Sequence, residues 1–191
     1  MFGIKIKADA SFDAFKMSAR KAGFSGLITS IWDIDHYRNG RLIDHERIHN
    51  LITNEGLDAW LDIMFHGSTQ ITTWYVVLFS TNTTILATHT YAVPGYTEVT
   101  TEVDEATRQA YVEAASSSQS ITNIASKALY TFNTNATIYG AALVGGGNNA
   151  TTKGDTAGGG TEFAAAKFAA SKAVADDDIL ATTVTITLAN A

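Results

Sequence analysis

The sequence contains no cysteine and a single proline among its 191 residues. Without thiols it can build neither a disulfide framework nor a thiolate metal site, and catalysis through a cysteine nucleophile is excluded. Charge is scarce as well. Asp, Glu, Lys and Arg make up 17% of the chain, so a neutral, polar surface is expected. The formal net charge of −6 argues against nucleic acid as a partner, because phosphate binding needs clustered cations. No run is long and apolar enough to span a bilayer, so no membrane partner is expected either. The opening MFGIKIKADASF lacks the apolar region of a signal peptide, which points to synthesis in a cytoplasm. The Asn-x-Thr triplets at Asn82, Asn135 and Asn149 are therefore read as products of a Thr-rich composition rather than glycosylation sites.

Hydrophobic residues reach 46%, enough at this length for a sizeable core, and Thr, Ser, Asn, Ala and Gly fill most of the rest. That mixture suits strands, turns and flat packed surfaces. Residues 1–26 read as an N-terminal arm followed by a short helix, and residues 27–191 as a single β-rich domain. In the arm, Ile4 and Ile6 alternate with Lys5 and Lys7, the period of a strand with one apolar face. Over residues 9–23, Phe12, Phe15 and Ala19 recur at helical spacing and Gly23 offers a stop.

Asn39-Gly40 accepts positive φ at both central turn positions and sits between two strand-like segments, residues 27–38 and 41–50, which predicts a long hairpin. Residues 54–67 place Leu57, Trp60, Leu61, Met64 and Phe65 on one helical face, with Asn54 as N-cap and Gly67 just past the end. Further strands are expected at 72–80, 97–101, 110–115, 126–132, 137–144 and 179–188, with an irregular stretch around Pro94. The sum is a mainly β chain, an antiparallel β-sandwich or barrel with one or two short helices and an extended N-terminal arm. Residues 145–160 (GGGNNATTKGDTAGGG) are mobile by composition. Trp60, Trp74 and Phe79 are assigned to the core.

Several constellations could carry chemistry. His45-Glu46-Arg47-Ile48-His49 matches H-E-x-x-H, which on a helix brings two imidazoles to one zinc with the glutamate as general base; Glu55 and His66 are generic third ligands. Here the motif leaves a hairpin turn, where a strand would hold the two histidines about 13 Å apart at ~3.3 Å per residue, so a zinc hydrolase is the minor alternative. Asp33 and Asp35, and the run Asp176-Asp177-Asp178, could attract a cation but are not spaced as a calcium loop, and the run reads as a solvated turn. Lys153-Gly154 lies among glycines without the order of a phosphate-binding loop, and no G-x-S-x-G elbow exists. No cofactor is expected.

From about Arg47 onward the chain resembles a widespread group of tailed-bacteriophage virion structural proteins associated with capsid decoration. The segments that carry the resemblance are residues 49–57 (HNLITNEGL), 74–78 (WYVVL), 95–99 (GYTEV), 105–111 (EATRQAY), 138–144 (IYGAALV) and 178–184 (DILATTV). Gln109 stands where the group's pattern has a proline. The resemblance implies a non-enzymatic decoration, or cement, protein on the outer surface of the capsid, assembled in the host cytoplasm. Its implied partners are the major capsid protein, other virion proteins and copies of itself as a homo-dimer or homo-trimer. A tail or head–tail connector component is the alternative. Candidate partner-binding residues are Ile4, Lys5, Ile6 and Lys7 in the arm, offered for strand addition, Tyr96 as an interface anchor after Pro-Gly, and Arg108. For Arg108 a structural role is favoured, tying down its loop through Glu102 or Asp104.

Overall fold

A computed structural model describes residues 26–190. The expected arm strand at residues 4–7 and helix at 9–23 lie outside the described residues.

The chain is mainly β, with two antiparallel sheets and one helix among the described residues. Strand β1 (Gly26–Arg38) turns at Asn39-Gly40 into β2 (Arg41–His49), and both turn residues take positive φ, 50° and 72°, as the Asn-Gly pair predicts. After Asn50 the chain leaves the first sheet as β3 (Leu51–Ile52), which pairs with the second, and enters helix α1 (Asn54–Phe65). Seven strands follow: β4 (Trp74–Phe79), β5 (Gln109–Tyr111), β6 (Ser120–Thr122), β7 (Ala128–Thr131), β8 (Ala136–Gly145), β9 (Thr161–Val174) and β10 (Ile179–Asn190). The first sheet runs β2-β1-β10-β6, with β7 also on β10; the second runs β3-β9-β8-β4-β5.

The sheets close on one core. Trp32 and Ile34 of β1 and Leu180 and Val184 of β10 meet Val76, Leu78, Ala141 and Leu143 of the second sheet, following the period-2 alternation of each strand. The second sheet is also covered on its outer face. There Val77, Ala142, Val144 and Ala165 lie under Tyr91, with Tyr96 and Ile85 beside them, all three from the long excursion of residues 80–108 between β4 and β5. Burial on both faces explains why β4 and β8 read as unbroken apolar runs.

Several expectations are corrected. Residues 97–101 form no strand; they meet the end of β4 through the bridge of Glu98 to Phe79, the bond from Val99 N–H to Leu78 C=O and the packing of Val99 in the core. β9 and β6 were not expected. Thr53, not Asn54, caps α1, its Oγ1 accepting from Gly56 N–H at 2.9 Å. Trp60 is only half-buried, because the face of α1 turned to the protein is centred on Gly56, not on the apolar stripe. Phe79 is fully buried and Trp74 packs against the core, as assigned.

Candidate docking surface

Helix α1 is fixed at its first turn. Thr53 N–H donates to Phe163 C=O at 3.0 Å and its hydroxyl to Glu162 C=O, while Asn54 N–H donates to Ala87 C=O at 2.8 Å. One oxygen of Glu55 accepts from the backbone N–H of both Tyr91 (2.8 Å) and Glu162 (2.6 Å). Gly56 presses on β9 so closely that a Cβ would stand 2.4 Å from Phe163 O, so only glycine permits this approach.

With that turn pinned, the rest of the helix presents an apolar stripe to the outside. Leu57, Leu61, Met64 and Phe65 share one face at helical spacing, and Leu61 and Phe65 are 48% and 76% exposed. Trp60 borders the stripe and meets the Phe65 ring edge-on at 6.2 Å. A contiguous set of large apolar side chains left outside the core marks an interaction site, whereas scattered ones do not.

The loops beside α1 are tied together by Arg108. The residue is 4% exposed, and its guanidinium spends its directions within the chain: Nε and Nη2 on Glu98 (3.0 and 2.7 Å), Nη1 on the Tyr91 hydroxyl (2.9 Å) and Ala150 C=O (3.0 Å), and Nη2 on Asp155 C=O (2.9 Å). Burial disfavours its charge, but Glu98 and Tyr91 outweigh that and raise its pKa. The carboxylate is thus Glu98, not Glu102 or Asp104. Glu102 instead accepts from Thr100 and Thr101 N–H, which holds its own pKa down against burial. The glycine-rich stretch is also anchored: Gly154 N–H donates to Glu98, Lys153 reaches Glu105 C=O, and Asp155 accepts from Tyr91 and Gly158.

Tyr96 remains partly exposed but faces inward with its polar end, its ring stacked on Phe79 at 4.6 Å and its hydroxyl 3.1 Å from Glu162 Oε2. Burial, helped by Glu162, raises its phenol well above the usual range. Glu162 itself is fully buried. Burial pushes its carboxyl up to about 8, with Glu55 adding to the shift and Tyr96 opposing it, and its Oε1 has no hydrogen-bond partner.

The H-E-x-x-H residues lie on β2, opposite β1, with His45 across from Asp35 and His49 across from Ile31. His45 bonds Asp35 at 2.6 Å, and Glu46 is committed to Lys172 and to Ala169 N–H. Asp33 is paired with Arg47, and Asp35 also with Lys127. Asp178 is not part of a solvated turn: it is 1% exposed, held by Arg38 and His36, and Arg38 above all keeps its carboxyl far below the usual range. Ile4, Lys5, Ile6 and Lys7 lie outside the described residues. No protein-family model matches the chain, and no curated protein matches it.

Proposed function

We propose that the protein is a non-enzymatic structural component of a bacteriophage virion, a capsid decoration protein that binds copies of itself and the major capsid protein on the outside of the head. The observation that carries this reading is the stripe of Leu57, Leu61, Met64 and Phe65 on α1, which stays exposed among the described residues. Held at its first turn, the helix offers this stripe in a fixed position, which lowers the ordering cost of association. Such a role needs a stable sandwich and an adhesive face. The order of segments from Arg47 onward, which resembles tailed-phage structural proteins, supports the same reading.

The test is incorporation into particles. A Leu61→Asp/Phe65→Asp variant keeps the melting temperature of the parent, since neither side chain is buried, and is absent from purified particles. Incorporation at the parental copy number would refute the reading. Copy number also separates the alternatives, because decoration requires numbers comparable to the major capsid protein whereas a tail or connector component is present in few copies.

A further inference from the structure

The exposed stripe of α1 has an acidic flank. Asp58 and Asp62 are both exposed, stand four residues apart beside Leu57, Leu61 and Phe65, and are balanced by no basic residue in the last turn. On that side the helix and residues 87–90 border a hollow of about 540 Å³, lined by Asp58 and Asp62 among others. A surface that covers α1 must bring apolar side chains and a cation.

The end of the β1–β2 hairpin has that character. Leu42 and Ile43 are 53% and 50% exposed, and Arg41 before them is exposed with no hydrogen bond or ion pair among the described residues. As successive strand residues, Leu42 and Ile43 point to opposite sides, which makes the hairpin end an apolar wedge. Among the described residues, no other stretch of sequence sets two exposed large apolar side chains beside an unpaired cation. Of the charges nearby, Arg38 is held by Asp178 and Asp44 by Lys172, while Asp176 and Asp177 stand in the turn before β10, two strands away from β2. We infer that α1 of one copy receives the hairpin end of a second copy, Leu42 and Ile43 against the apolar stripe and Arg41 toward Asp58 and Asp62; this rests on the assembly reading above and names the surface that covers α1.

The two surfaces cannot meet within one chain. Strand β9 runs between them: Phe163 lies against Gly56 of α1, and Ala173 C=O accepts from Arg38 at the hairpin end. From residue 163 to residue 173 the strand spans about 33 Å at ~3.3 Å per residue, and it is hydrogen-bonded to β8 toward both ends. Each copy therefore carries one wedge and one socket at opposite ends of a rigid sandwich. The contact is head to tail, and it repeats along a row or closes into a ring according to the rotation it imposes.

Sedimentation equilibrium of the full chain tests this without any particle, so failure to decorate capsids and failure of this contact are separate results. The parent associates as its concentration rises. Leu42→Asp/Ile43→Asp keeps the socket and loses the wedge, whereas Leu61→Asp/Phe65→Asp keeps the wedge and loses the socket. Each alone is monomeric, and their equimolar mixture forms a one-to-one dimer that grows no further. A two-fold contact of α1 with α1 cannot give that dimer. Arg41→Glu and Asp58→Lys/Asp62→Lys alter only exposed side chains without partners among the described residues, so they test the contact even where the apolar variants fold poorly. Each weakens association about fivefold, and combining them in one chain restores it. A parent that stays monomeric, a mixture of folded apolar variants that stays monomeric, or a combined charge variant no better than its components overturns the inference.

Discussion

Arg108 grips Glu98 with two parallel bonds, Nε to Oε1 at 3.0 Å and Nη2 to Oε2 at 2.7 Å, across ten residues of chain that form no strand. The pair converts the irregular cover of the second sheet into a defined shape, because the same guanidinium also reaches Tyr91, Ala150 and Asp155. Arg108→Ala strands a nearly buried carboxylate and is expected to cost about 3–5 kcal/mol. Arg108→Lys keeps the charge but not the fork, and recovers only part of that loss. Chemical denaturation of the three proteins checks the order.

Glu162 makes stability depend on pH in an unusual direction. Its carboxyl titrates at about 8 in the folded protein against 4.5 for an ordinary glutamate, so the folded state binds the extra proton. Its contribution is full below about 4.5 and is lost as pH rises through 8, at a limiting slope of roughly 1.4 kcal/mol per pH unit. Glu162→Gln mimics the protonated form. Thermal melts from pH 5 to 9 should show the variant gaining on the parent as pH rises; parallel profiles would mean that Glu162 is ionised in the fold.

Thr53 caps α1 and also bonds β9. Replacing it with alanine removes the acceptor for Gly56 N–H and is expected to cost about 1–2 kcal/mol. Hydrogen exchange in the first turn of α1 should rise, while β8 stays protected.

The histidines of the H-E-x-x-H match stand on one strand, four residues apart, and Glu46 is bound to Lys172. Elemental analysis should accordingly find no stoichiometric zinc, and one tightly held zinc per chain would contradict the strand geometry as the basis of His45 and His49 placement.

Much of the sandwich is legible in the sequence because its signals are local. Asn39-Gly40 fixes the hairpin, and the alternation of Ile179 to Leu188 marks β10. β9 escapes that reading: Ala164 and Ala166 face the core between the sheets and Ala165 the outer cover, so all three are buried and no period survives. The pattern of α1 is legible, but not which side of it faces the protein, since that depends on Gly56 meeting Phe163. Nor could sequence select Glu98 over Glu102 for Arg108, because the choice is made by loop packing over the second sheet.

The central claim is that α1 becomes buried against another protein chain when a virion assembles. Low-dose imaging of the intact particle at a resolution that shows helices tests it most directly. The account predicts the sandwich in many copies on the outside of the head, with Leu61 and Phe65 of α1 covered by a neighbouring chain. A particle without this protein, or one in which the α1 stripe faces solvent, would contradict it.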